Sequence, residues 1–372
     1  MNNTQLERGV LLTLTGRSPG DAIVQATLVQ QLRVINFDPV DVVVAHASPS
    51  EPQSDGWFTD VRHCSKGNFV VRHIALLRIV VKLLRSGSIS AVYARDVVTM
   101  QVALVARWLA HDDVPIIFDC RGDIAAEAQL RGTARLRVAI LKRMQKLSWN
   151  RADRVMVVSE SLRNLVSESA PRTPAIVVPN LQPQSLPVID EMRPRPLVVF
   201  AGGGQKWQDI GRVMRDLAGL RQSGIDVEVV TRDGGLIQHA RALGFEVSSG
   251  GRAHVLSRLQ HATASWMVRA DAAANSVASP VKLGEALSAG TVVVGSQATW
   301  EHMPELVMDQ LAIVVKPDGD TESLVSDLFG VWAQGPVGRA RRLEAVQRNW
   351  TLGSYRGELE RFFGLRIGYV DE

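Results

Sequence analysis

Short runs of Val, Ile and Leu alternate along this chain with stretches of helical spacing, and no other feature constrains the fold as much. Residues 9–14, 41–45, 90–94, 114–118 and 154–158 read as strands, and residues 22–34 and 76–84 have helical periodicity. Near-continuous apolar strands separated by helices mark parallel βαβ units, because a parallel sheet is covered on both faces. The pattern then breaks. Five prolines (179, 183, 187, 194 and 196) crowd a stretch with little apolar periodicity, which can continue neither sheet nor helix. Beyond it the alternation restarts at residues 196–201, 226–230, 264–268 and 291–294. The expectation is an α/β chain of two doubly wound halves, residues 1–185 and 186–349, whose ligands sit beyond the carboxyl ends of the strands.

A length of 372 residues accommodates two such domains. With 46% hydrophobic and 22% charged residues, the composition excludes a disordered or fibrous chain. Two cysteines, Cys64 and Cys120, cannot make a disulfide framework and fit a reducing compartment. No apolar run approaches the roughly 18 residues of a membrane-spanning helix. The first residues lack the pattern of a signal peptide, so a cytoplasmic protein is expected. The net charge of +4 is uneven, +6 over residues 1–195 and −2 over residues 196–372. A basic first half points to an anionic partner there, a membrane surface or a phosphorylated substrate. Nucleic acid is not expected, because the cations are not interleaved with stacking aromatics, which are only 5% of the chain.

Two motifs suggest chemistry. Ala201-Gly202-Gly203-Gly204-Gln205-Lys206-Trp207-Gln208 follows a strand and precedes a helix. Glycines there let backbone amides approach a phosphate, and Lys206 adds a full positive charge. Trp207 replaces the third glycine of a dinucleotide fingerprint, and Lys206 lacks the Ser or Thr of a Walker A loop, so a plain tight turn stays open. The second motif, Ser279-Pro280-Val281-Lys282-Leu283-Gly284-Glu285-Ala286-Leu287-Ser288-Ala289-Gly290, reads as a helix leading into a strand. Lys282 and Glu285 share one face of it. They are either a surface ion pair of little value or, with a cation at a helix start, half of an anion site.

In this order and spacing the segments resemble the family 4 glycosyltransferases of the GT-B fold. The resemblance covers most of the chain: Val92-Tyr93-Ala94-Arg95, Phe118-Asp119-Cys120-Arg121-Gly122 with Glu127, Val157-Val158-Ser159-Glu160 and Val178-Pro179-Asn180 in the first half, and both motifs above in the second. It implies two Rossmann-like domains facing across a cleft, with a closing helix at about 350–372 returning to the first. It implies a retaining hexosyl-type transferase without a protein nucleophile, a nucleotide-sugar donor (UDP-linked), a glycan or lipid-linked acceptor, and a role in bacterial surface polysaccharide assembly. By resemblance Gly202, Gly203 and Lys206 hold the donor pyrophosphate, Glu285 accepts the ribose hydroxyls, and Ser279 and Lys282 face the diphosphate and sugar. Gly16 and Gly20 resemble the first-domain loop over the donor, imperfectly because Arg17, Ser18 and Pro19 fill it. Base recognition falls to backbone near residues 250–254. Catalysis would rest on Lys206, Lys282 and backbone amides stabilising the departing diphosphate, with no metal or other cofactor. Asp318-Gly319-Asp320 reads as a solvated loop.

One position departs from the family: where many relatives carry a glutamate eight residues before Glu285, this chain has Val277. That keeps two alternatives open, a catalytically silent scaffold that binds a partner enzyme and a sugar-nucleotide 2-epimerase. On the acceptor side His46, Arg95, Asp119 and Arg121 fall at strand ends and are expected to line the site, Arg121 contacting donor sugar or acceptor. Asp123 and Glu127 are candidate bases; each of these residues is otherwise a cap or structural ion pair. Arg131, Arg135, Lys142 and Lys146 share one side of a helix expected over 131–149, with Leu136, Ile140, Met144 and Leu147 opposite. The expectation is an apolar side packed on the sheet and a basic side facing anionic lipid, a peripheral position on the inner face of the cell membrane.

Overall fold

The computed structural model describes residues 10–15, 29–34, 42–47, 60–64, 67–182, 184–189, 191, 193–296, 300, 304–315 and 321–363. Contacts divide the chain into two compact units, one of residues 1–179, 277–279 and 355–372, the other of residues 180–276 and 280–354.

In the first unit seven strands run in the order β3-β2-β1-β4-β5-β6-β7: β1 (Val10–Thr15), β2 (Val42–His46), β3 (Asp60–His63), β4 (Ile89–Ala94), β5 (Ile116–Cys120), β6 (Arg154–Val157) and β7 (Ala175–Val177). Every pairing is parallel. The helices are α1 (Gln30–Val34), α2 (Phe69–Arg85), α3 (Val97–Ala110), α4 (Ile124–Leu130), α5 (Arg135–Arg151) and α6 (Glu160–Ser169). Parallel crossovers are right-handed, so α2, α3, α5 and α6, which link β3 through β7 in one direction across the sheet, must cover the same face. The core confirms it: Leu12, Val92, Phe118 and Val155 pack in one cluster with Leu76 and Val80 of α2, Met100 of α3, Trp149 of α5 and Leu162 of α6. Val277 joins that cluster from far along the chain.

Local chemistry starts the helices. Asp96 and Thr99 form a reciprocal capping box at α3, and Ser159 accepts from Leu162 N (3.2 Å) at α6. The helix expected over 131–149 is two elements instead. Arg131 closes α4, Gly132 takes the left-handed conformation (φ 81°), and α5 begins at Arg135. Arg131 therefore shares no helix face with Arg135, Lys142 and Lys146. The expected inward side is also corrected. Leu136 is 74% exposed, and Ile140 and Leu147 are exposed too, while only Met144 of the four packs against the core. The side of α5 against the sheet is Gln145, Ser148 and Trp149. Hydrogen bonds hold it there: Gln145 Nε2 to Gly122 O (3.1 Å), Gln101 Nε2 to Ser148 Oγ (2.9 Å) and Trp149 Nε1 to Cys120 Sγ (3.4 Å).

The second unit repeats the scheme in six parallel strands, β10-β9-β8-β11-β12-β13: β8 (Leu197–Ala201), β9 (Asp226–Val230), β10 (Glu246–Ser248), β11 (Ala264–Trp266), β12 (Val292–Ser296) and β13 (Ala312–Val315). Its helices are α7 (Ile210–Gln222), α8 (Gly234–Ala242), α9 (Arg252–His261), α10 (Ala273–Ser276), α11 (Val281–Ser288), α12 (Pro304–Met308), α13 (Thr321–Ala333) and α14 (Gly335–Asn349). Val198, Phe200, Val229 and Trp266 pack against Val213 and Leu217 of α7 and Leu328 of α13. A last helix, α15 (Arg356–Phe363), belongs to the first unit. There Phe363 stacks on Tyr93 (centroids 5.8 Å apart) and the Arg154 guanidinium lies 5.9 Å from the Phe362 ring. Residues 350–354 of the expected closing segment count with the second unit, and residues 364–372 lie outside the described residues.

Candidate functional site

The strand order of the second unit reverses between β8 and β11, the switch point where loops after two central strands part and leave room for a ligand. The glycine loop starts there. A Cβ on Gly202 would run into Gln208 Oε1 and the Phe200 ring, so a larger residue would require those side chains to shift. The Gly204 amide donates to Asp233 Oδ2 (3.0 Å). The same carboxylate caps α8, and the amides of Leu236, Gly204 and Gly235 hold it below the usual carboxylate range. Lys206 opens a single 3₁₀ turn, Lys206–Gln208, and is exposed. The carbonyl of Trp207 accepts from Ala270 N (3.1 Å) and Asn275 Nδ2 (3.0 Å), which ties this turn to the segment after β11.

Lys282 and Glu285 stand three residues apart on α11, and neither is a surface group. The ammonium of Lys282 donates to the carbonyl of Ala201, the last residue of β8. Burial pulls its pKa down to about 8; Glu285 opposes the shift and Arg269 adds to it. Glu285 is buried, its Oε1 accepts from Arg252 Nε (3.1 Å), and Arg252 also bonds Gln182. Burial pushes the Glu285 carboxyl up, against the pull of Arg252 and then Lys282. The helix lies close to the 180–181 backbone because residue 284 is glycine: a Cβ there would be 2.4 Å from Asn180 O. The second unit thus brings Gly202, Gly203, Lys282 and Glu285 to the end of β8, with Lys206 on the next turn. Ser279 is buried and counts with the first unit.

The first unit arranges its candidates otherwise. Asp119, sealed from solvent at the end of β5, lies between two arginines: Arg95 Nε at 3.1 Å from Oδ2 and Arg121 Nε at 2.5 Å from Oδ1. Gln31 Oε1 accepts from Arg121 Nη2 (3.0 Å) and from the Tyr93 hydroxyl (3.3 Å). This is a buried ion triad, of which only Arg121 keeps appreciable exposure. Asp123 is the N-cap of α4, accepting from Ala125 N and Ala126 N, and Glu127 pairs with Arg131 (3.1 Å). His46 does not line an open site. It is fully buried at the end of β2, stacked on His63 with centroids 4.4 Å apart. Burial, then the neighbouring His63, pull its pKa down to about 4, so the ring is neutral at pH 7. Gly16 and Gly20, with Arg17, Ser18 and Pro19, lie outside the described residues, as do Asp318, Gly319 and Asp320. Val277, the departure from the family, sits in the first unit's core, its carbonyl accepting from Ser159 Oγ (2.8 Å).

Three residues about the donor-side cluster escaped the sequence reading: Arg252 on Glu285, Arg269 near Lys282 and Asp233 on the glycine loop. Arg252 follows the glycines of a segment read only for its backbone. Arg269 and Asp233 sit in loops without periodicity, so no sequence signal marked them. Among the described residues, no three His, Cys, Asp or Glu side chains gather as a metal site would require. No helix among them is long and apolar enough to cross a membrane.

Residues 26–181 match the family model of the glycosyl transferase 4-like domain. No curated protein matches the chain by sequence. Among solved structures, the chain is similar to WaaG, a glycosyltransferase involved in lipopolysaccharide biosynthesis (14% identity, 95% of this chain and 100% of that one, TM-score 0.64). It is similar to Anabaena Alr3699/HepE in complex with UDP and glucose (14%, 95% and 99%, TM-score 0.68) and to sucrose-phosphate synthase of Thermosynechococcus elongatus (13%, 95% and 99%, TM-score 0.69). At these identities the structures speak for the fold, two Rossmann-like α/β domains of the GT-B type. The domain match, over residues 26–181, agrees with the family 4 resemblance for that part of the chain.

Proposed function

We propose that this chain, whose residues 26–181 match a glycosyl transferase 4-like domain, moves a sugar from a UDP-sugar to a glycan or lipid-linked acceptor with retention, in the assembly of a bacterial surface polysaccharide. One observation carries the donor side of this reading: the Lys282 ammonium meets the Ala201 carbonyl at the head of the glycine loop, beside the buried Glu285. A cation whose charge burial disfavours and a buried carboxylate at a switch point are costly to fold and suited to a ligand with an anionic end and hydroxyls. Lys282, Lys206 and the loop amides neutralise the charge that develops on the diphosphate as its bond to the sugar breaks. Glu285 takes the ribose hydroxyls, and Arg252 holds its carboxylate in place while the site is empty. Support comes from HepE, a similar fold solved with UDP and glucose.

The test is a thermal-shift series with UDP, GDP, ADP and their sugar conjugates, on the native chain and on Lys206→Ala with Lys282→Ala. A ligand that binds the folded state raises the melting temperature. A shift with uridine nucleotides that the double variant loses supports the donor site; no shift from any nucleotide on a folded chain overturns it. The burial of Val277 favours one second reading, a donor-binding scaffold without turnover. Donor hydrolysis or transfer followed by NMR separates the two, and conversion of the sugar without acceptor would instead identify an epimerase.

A further inference from the structure

Several arginines withdrawn from solvent in this chain face a carboxylate: Arg95 and Arg121 meet Asp119, Arg252 meets Glu285, and Arg258 meets Glu228. Arg339 and Arg342 differ. They stand three residues apart on α14, so they share one face of it. Their partners are neutral oxygens: Arg339 Nη2 donates to Ala262 O (2.7 Å), Arg342 Nε to Gly290 O (3.0 Å) and Arg342 Nη1 to Gln334 Oε1 (2.8 Å). Ala262 and Gly290 follow α9 and α11, whose carboxyl-end dipoles offset part of the two positive charges. The rest is uncompensated. Arg339 Nη1 is buried without a hydrogen-bond partner, and Arg342 is only 7% exposed. Burial lowers the pKa of Arg339; burial, then Arg339, pull that of Arg342 down to about 10. A buried guanidinium without a counter-charge is costly to fold.

Both arginines line a cleft of about 40 Å³, together with Arg193, His261, Thr263 and Trp332. Thr263 precedes β11 and Arg193 precedes β8, so the cleft lies at the amino ends of these strands. The donor cluster lies at the other end, where Ala201 closes β8. Trp332 Nε1 donates to the Arg193 carbonyl (3.0 Å) and anchors that residue. The Arg193 guanidinium reaches Glu246 only at 3.9 Å, and Glu246 lies nearer Arg258 (3.3 Å). Among the described residues one acid lines the cleft, Glu191, 75% exposed and 3.8 Å from His261 Nδ1. Three arginines less one glutamate leave the lining at +2. The volume has room for about three water molecules or one oxyanion, too little for a protein segment. Guanidinium forks match the several oxygens of a phosphoryl group, whereas a carboxylate brings one charge and two oxygens. We propose that this cleft binds a phosphoryl dianion, carried by inorganic phosphate or by a phosphomonoester, with Arg339 and Arg342 as its main ligands and Arg193 beside them. It uses no residue of the donor cluster, so its failure would leave the transferase reading untouched.

The test is calorimetric titration of the full chain carrying Lys206→Ala and Lys282→Ala, which keeps the donor cluster from contributing. Inorganic phosphate is expected to bind, and acetate at equal ionic strength to bind at least about tenfold more weakly. Adding Arg339→Gln or Arg342→Gln is expected to weaken phosphate binding about ten- to hundredfold, the worth of a charged hydrogen bond. A cooperative melt reports that each variant folds. Arg193→Gln, at a partly exposed side chain, is expected to cost about three- to fivefold and reads the same site if a buried variant does not fold. Glucose 6-phosphate separates the two sources. Tighter binding than the free ion identifies a phosphomonoester whose sugar rests outside the cleft; equal or weaker binding identifies inorganic phosphate. No phosphate binding by the folded Lys206→Ala, Lys282→Ala chain, affinity unchanged by all three arginine substitutions, or acetate bound as tightly as phosphate overturns the proposal.

Discussion

The two sheets share one topology and use their carboxyl ends in opposite ways. At the first, Asp119 is closed between Arg95 and Arg121, away from water. At the second, Lys282 is partly buried and Glu285 buried, their charges disfavoured, the lysine down to about pKa 8 and the carboxyl pushed upward. Within the chain, Glu285 is paired with Arg252 and Lys282 donates to the Ala201 carbonyl. The first set places one carboxylate between two arginines, a net charge of +1, and burial lowers the Arg95 pKa there as well. On the proposed function, ligand binding falls to the second set of strand ends and a structural role to the first.

The comparison can be broken first at the triad. Asp119→Ala leaves two arginines buried without their carboxylate, and a loss of about 3–5 kcal/mol in stability is expected by denaturant unfolding. A change under 1 kcal/mol would return the triad to the list of functional groups. Lys282→Ala is the converse. Nucleotide-diphosphate affinity, measured calorimetrically, is expected to fall about ten- to hundredfold, the worth of a charged hydrogen bond. Its melting temperature should not drop, because charging that ammonium opposes folding. Unchanged affinity with lost stability would reverse the roles of the two sheets.

A pH series sharpens the same point. A lysine whose pKa is depressed to about 8 is charged below that value and neutral above it. Binding a diphosphate favours the charged form, so above pH 8 the protein must take up a proton to bind. Affinity is expected to be level below about pH 8 and to fall up to about tenfold per unit above it. In Lys282→Arg, if the longer group is tolerated, the decline should disappear. The smallest effect is expected from Arg252→Gln, which removes the ion pair on Glu285: a loss of about fivefold in affinity for uridine nucleotides, with bare pyrophosphate unaffected.

The sequence was legible where burial is two-sided and silent where it is not. Nine strands were readable as Val-rich runs, each inside a sheet. The four that were not, β3, β7, β10 and β13, are the four sheet edges, three or four residues long and only partly buried. An edge strand pairs on one side and needs no continuous apolar run. Lys282 and Glu285 were found because helix spacing places them together; Arg252 was not, because its partner lies thirty-three residues away. The orientation of α5 was misread for a related reason. Its inner side is held by polar bonds of Gln145, Ser148 and Trp149, and hydrophobic periodicity assigns the inside to whatever is most apolar.

The segments that complete the first unit come from far down the chain. Val277 fills its core and Phe363 stacks on Tyr93, yet both follow most of the second unit in sequence. During synthesis the ribosome must therefore add roughly 180 residues after the last strand of the first sheet before that sheet has all its packing partners, about 10–40 s at ordinary elongation rates. The amino-terminal half emerges without Val277 in its core and without Phe363 on Tyr93. Truncation before α15 is thus a lesion of the first unit, although α15 follows the whole second unit in sequence.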